Sequence, residues 1–159
     1  VSDYYDLFLA VDLRPDLPEA FLRELSWMVG QADPPPAFES ADWALWGDPW
    51  QVLAGGEASH SFDGADTSLL VRAENRRNAD GGDGGVPWAL TVRVCIHEDE
   101  FGVLMDVLEW VLREAVTEDW AGFLRNSGSG DVQHIVRSRA GFDIVNMRAA
   151  GRQIQVSWA

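Results

Sequence analysis

Lysine is missing from this chain. Every positive charge is one of 12 arginines, set against 26 aspartates and glutamates, for a formal net charge of −14 over 159 residues. That absence removes Schiff-base nucleophiles, a pyridoxal-phosphate anchor, the phosphate-loop lysine and the kinase-type strand lysine. Cysteine is nearly missing too. Cys95 stands alone, so no disulfide closes within the chain, which fits a reducing compartment. No apolar run reaches the ~18 residues of a membrane-spanning helix. The opening residues, Val1 to Asp6, are acidic and lack the charged, apolar, then small-residue order of a signal peptide. The expectation is a cytoplasmic protein with no membrane partner.

A basic stripe is also lacking. The arginines are scattered, apart from Arg76-Arg77 and the pair Arg137 and Arg139. An acidic surface repels phosphate backbones, so no nucleic acid is expected as a partner. Catalytic signatures are equally scarce. No GxSxG elbow occurs, and His97-Glu98 does not open an HExxH helix because Phe101 stands where the second histidine belongs. Cys95 and His97 share a strand face at i, i+2, yet no CxxC or HxH pair completes a ligand set. Ser59-His60-Ser61 places neighbours on opposite faces of an extended chain, so His60 serves neither serine. Gly81 to Gly85 leads into a strand rather than a helix N-terminus and does not make a phosphate loop. No catalytic residue, metal ligand or cofactor is expected.

What the chain does have is apolar mass. Hydrophobic residues make up 47% of it and eight are tryptophan. A chain of this length buries about 70% of its unfolded surface, enough for one cored domain over residues 1–159. Alternation from Tyr5 to Leu13 predicts a strand with Leu7, Leu9, Val11 and Leu13 facing one way. Asp16, with Glu19 three residues on, predicts an N-cap and a helix from Leu17 to Val29. Residues 31–57 read as a flexible connection with at most a short helical turn, because Pro34-Pro35-Pro36 and Gly47-Asp48-Pro49 break longer elements. Strands are predicted at Ser59 to Phe62, Thr67 to Ala73 and Trp88 to His97, with a second flexible segment at 75–87. Asp99 is expected to cap a helix from Glu100 to about Val116. Further strands are predicted at Trp120 to Arg125, Val132 to Arg137, Phe142 to Met147 and Ile154 to Trp158.

The order β-α-β-β-β-α-β-β predicts an α+β fold of two layers, a mainly antiparallel sheet with two helices on one face. It contains the β-α-β-β-α-β order of ferredoxin-like folds. The helix from Glu100 is apolar over about 240° of its circumference, wider than one sheet contact needs. It therefore requires a second cover: the first helix, the tryptophan-rich connection or another subunit. From that helix and from spare strand edges a homodimer is expected.

Trp43, Trp46 and Trp50 are the leading candidates for ligand contact, either as a lid on the core or as exposed rings near Asp42 and Asp48. Arg93 and His97 could orient a ligand on the other face of the sheet. The charge favours a basic protein partner, and an interaction or regulatory module, binding a basic protein as immunity proteins do, is the first functional expectation. The alternatives are a small-molecule domain with its pocket under the tryptophan loop, and an uncharacterised hydrolase or transferase.

Overall fold

The alternating segment at the N-terminus becomes the strand around which everything else is arranged. In a computed structural model, described over residues 2–76, 85–138 and 141–146, β1 (Tyr4–Leu13) pairs on one side with β3 (Trp88–His97) and on the other with β4 (Asp119–Asn126). β2 (Thr67–Arg72) lies outside β3, while β5 (Val132–Ser138) and β6 (Gly141–Asn146) continue beyond β4. The result is a six-stranded sheet in the order β2-β3-β1-β4-β5-β6, antiparallel at every step.

Leu7, Leu9, Val11 and Leu13 of β1 share one buried face with Leu90, Val92, Val94 and Ile96 of β3. Onto that face pack Phe21, Leu25 and Met28 of α1 (Glu19–Met28) and the buried stripe of α3 (Phe101–Leu112), in one continuous core. The fold is thus α+β, with both long helices against one sheet face. The apolar excess of α3 is covered within the same chain. Trp110 of α3 meets Phe21 of α1 with ring centroids 4.3 Å apart. The ring of Trp46, from the one-turn helix α2 (Trp43–Trp46), lies on Gly102. The second cover that pointed to another subunit is therefore supplied by α1 and the tryptophan-rich connection.

Several expectations are corrected. Asp16 does not cap α1. The helix starts at Glu19 with Pro18 in the capping position and no side-chain cap, because a residue before proline, here Leu17, is pushed out of helical geometry. Asp16 instead pairs with Arg14. Ser59 to Phe62 is not a strand; the loop closes on itself through the isolated bridge Ala58–Ala65 and backbone hydrogen bonds such as Ser59 N–H to the Gly64 carbonyl. The order therefore has one strand fewer between the helices than expected. Asp99 is not the cap before α3. The capping position of α3 is Glu100, with no side-chain cap, and His97 caps the tight turn Glu98–Glu100 that leads into it, its Nδ1 accepting from the Asp99 N–H while Glu100 accepts from the His97 N–H. The helix ends at Leu112, and Ala115 bridges to Leu13 instead. Met147, the predicted strand Ile154 to Trp158 and most of the glycine loop, residues 77–84, lie outside the described residues.

The connection between α1 and β2 is tied down by polar groups. Glu24, buried on α1, accepts the backbone N–H groups of Glu39 and Ser40 at 2.6 and 2.8 Å. Gln31 pairs its side-chain amide with both backbone groups of Leu70, at 3.0 and 2.7 Å. That contact occupies part of the outer edge of β2, which would otherwise be free to pair with another strand.

Candidate functional site

The sheet face turned away from the helices carries the unusual chemistry. Antiparallel pairing puts directly opposed residues on the same face, so Asp6, Phe8, Ala10 and Asp12 of β1 share this open face with Cys95, Arg93, Thr91 and Ala89 of β3. Asp6 is only 5% exposed. Arg93 grips it with two nitrogens at 2.9 and 3.1 Å, and Arg125 adds a third contact at 3.1 Å. The hydrogen bond to Asp6 is the first cause that raises the Arg93 pKa above its ordinary value. Arg93 also donates to the Asp63 carbonyl at 2.7 Å, and Arg125 lies over the Phe62 ring at 4.8 Å. The loop 57–66 is thereby held over the Asp6 end of the face.

Beneath that loop Cys95 is half-buried. Burial pushes its thiol above the ordinary range, with the Asp66 carboxylate adding to the effect. Such a thiol is not an activated nucleophile. His60 lies tilted against Tyr4 at 4.7 Å, and His97 meets the same ring edge-on at 5.0 Å. Among the described residues, no three side chains of metal-binding type converge.

Between the Asp6 cluster and the ion pair of Asp12 with Arg76 at its other end, the open face is apolar. Leu69, Thr91 and Ala10 lie in one row across β2, β3 and β1, and Val71 lies opposite Ala89. Phe8 stacks on Phe123 at 5.5 Å and on Trp120 at 6.1 Å, and the Trp120 indole N–H donates to His134 Nδ1 at 2.9 Å. Between Leu69 and Val71 on one side and Phe8 and Trp120 on the other lie the smaller side chains of Ala10, Ala89 and Thr91. Leu69, Val71 and Trp120 are 57%, 46% and 41% exposed.

Trp120 reaches this face through a bulge. Regular alternation places it with Gly122 and Leu124, on the core side. The register shift between Trp120 and Gly122 tucks Ala121 inside and turns the tryptophan out, opposite Val136. Asp119, just before it, takes φ +63°. A side chain at Gly122 would run into the Phe8 carbonyl, at 1.9 Å from its Cβ.

The five residues singled out from the sequence fall into two groups. Arg93 and His97 do share the open side of β3. Trp43, Trp46 and Trp50 lie instead against the helix layer, where Trp43 meets Trp50 at 5.5 Å, Trp46 Nε1 donates to Asp106 at 2.9 Å and Trp50 Nε1 donates to Glu100 at 3.3 Å. Glu100 links the groups, since its other oxygen accepts from the His97 N–H at 2.9 Å. A cleft of about 220 Å³ between α3 and the β5–β6 hairpin is lined by Glu109, Arg113, Arg137 and Phe142, and one of about 110 Å³ lies beside Tyr5 and Gln133. Neither is lined by the three tryptophans. Asp6, Arg125 and Trp120 were not anticipated. Two aspartates, Asp6 and Asp12, in an otherwise apolar alternating strand were the available signal for Asp6; nothing in the sequence marks the bulge.

The chain matches no protein-family model, no curated protein and no solved structure. Among the described residues, no helix is long and apolar enough to cross a membrane.

Proposed function

We propose that this protein is a non-enzymatic binding module whose partner is a basic protein, in the manner of an immunity protein that neutralises a cationic one. The observation that carries the reading is that the described arginines are already engaged within the chain. Arg14, Arg23, Arg76, Arg93, Arg113 and Arg125 each pair with a carboxylate of their own chain. Arg72 donates to the carbonyls of Pro15 and Val86 and lies 4.3 Å over Trp88, and Arg137 donates to the Leu112 carbonyl. Exposed carboxylates such as Glu57, Glu74, Glu118, Asp119 and Asp143 have no arginine partner among the described residues. The surface therefore offers uncompensated negative charge, which steers cations inward and turns polyanions away. A lone half-buried cysteine fits a reducing, cytoplasmic setting.

The scaffold reading belongs here as well. β1, α1, β2, β3, α3 and β4 follow one another in the β-α-β-β-α-β order, and their strands stand as β2-β3-β1-β4. Both support a ferredoxin-like unit extended by the β5–β6 hairpin.

The test is calorimetric titration of the protein with a panel of small basic toxins and size-matched acidic proteins. A saturable one-to-one complex with a basic member at 0.15 M salt, where the screening length is ~8 Å, supports the reading. Equal weak binding to every basic protein, vanishing at that salt, reduces the effect to general charge attraction and refutes it.

A further inference from the structure

We infer that the open sheet face is the docking surface, and that its anchor is an arginine side chain of a basic polypeptide laid on the outer face of the Trp120 ring. The inference rests on the cationic-partner reading above and deepens it by naming the surface and the contacting group.

Three observations converge on Trp120. The ring is stacked against Phe8 on one side, and its N–H is committed to His134. The 41% of Trp120 that remains exposed is then mainly the opposite π face and the benzo edge. An aromatic π face is a negative surface that attracts a guanidinium. This chain already uses the same contact internally, with Arg72 over Trp88 at 4.3 Å and Arg125 over Phe62 at 4.8 Å. Trp120 turns the equivalent surface to solvent.

Charge complementarity decides the occupant. Asp143 of β6 lies opposite Val136, and Val136 lies opposite Trp120. The carboxylate is therefore on the open face, two strand spacings, ~10 Å, from the tryptophan. It is exposed and has no ion pair among the described residues. The described arginines that reach this face are spent, Arg93 and Arg125 on Asp6 and Arg76 on Asp12. A second copy of the chain would bring another formal −14 to the interface, with no free arginine among the described residues of this face to answer it. A basic segment would instead meet Asp143 with its charge and lay its aliphatic stems over the small side chains between Leu69 and Trp120.

Hexa-arginine and its uncharged citrulline counterpart are the probes, titrated calorimetrically into the protein at 0.15 M salt. Hexa-arginine should bind and the citrulline peptide should not. Trp120→Leu should weaken binding about fivefold, the scale of an exposed cation–π contact. Trp120→Phe keeps a ring and should fall between, which guards against a folding defect in the leucine variant. Asp143→Asn should weaken binding about twofold and flatten its salt dependence. Hexa-arginine binding that is unchanged in Trp120→Leu would overturn the docking surface while leaving the basic-protein reading intact. Absence of hexa-arginine binding to the unaltered protein would overturn the arginine anchor, and the toxin panel decides the broader reading separately. A dimer in light scattering that Trp120→Leu abolishes would assign the face to a second copy and overturn the proposal.

Discussion

Replacing Gly102 by alanine sets two effects of opposite sign against each other. Gly102 is the second residue of α3, where alanine is favoured over glycine by ~0.5–1 kcal/mol. A Cβ at that position would lie 2.2 Å from Cη2 of Trp46, with Cζ2 and Cζ3 at 2.6 and 2.9 Å. Ordinary contact begins near 3.4 Å, so the indole must retreat by about 1.2 Å. Trp46 is 37% exposed. Its covered part, about 150 Å² at ~25 cal/mol/Å², contributes at most about 4 kcal/mol. A displaced ring forfeits part of that cover. It also loses the Nε1 hydrogen bond to Asp106, a contact worth ~1 kcal/mol. The loss exceeds the helical gain, and Gly102→Ala should destabilise by about 1–2 kcal/mol. In a Trp46→Ala background the obstacle is gone, and the same substitution should stabilise by ~0.5–1 kcal/mol. Urea unfolding followed by far-ultraviolet circular dichroism, with equal slopes in all four proteins, measures this reversal as a coupling of about 2 kcal/mol. Stabilisation by Gly102→Ala in both backgrounds would refute the account of Trp46 as the cover of α3.

Asp6→Ala should cost about 2–3 kcal/mol in urea unfolding. That is less than a fully buried ion pair would lose, because water reaches the freed Arg93 and Arg125; a loss under ~0.5 kcal/mol would mean the cluster contributes nothing to stability. The Cys95 thiol, raised by burial, carries less thiolate at pH 8 than an unperturbed cysteine. Its alkylation by iodoacetamide should therefore be slower than that of a free thiol peptide, and should accelerate only at higher pH; equal rates would contradict the burial seen beneath loop 57–66.

Much of the architecture was legible because it depends on local periodicity. Alternation marked β1 and β3, and the 3.6-residue stripe marked α1 and α3, since burial of one face requires those patterns. Element ends were read less well. Pro18 displaced the start of α1, and His97 rather than Asp99 closed the turn before α3, because caps depend on which backbone groups are left over once strands and helices have packed. The candidate site was harder still. Trp43, Trp46 and Trp50 stood out as a cluster, yet whether such rings cover a core or face water depends on what lies beneath them, and here Gly102 and Asp106 of a distant helix receive Trp46.

The sequence by itself determined the class of fold, the acidic surface and the exclusion of lysine-based chemistry, because composition and periodicity act residue by residue along the chain. Only the tertiary structure decided which arginines were already spoken for and which aromatic ring faced outward. Both depend on strands far apart in the chain coming into register. Asp6 meets its partners across 87 and 119 residues of sequence separation. Trp120 turns outward because one extra residue in β4 reverses the parity of everything before it.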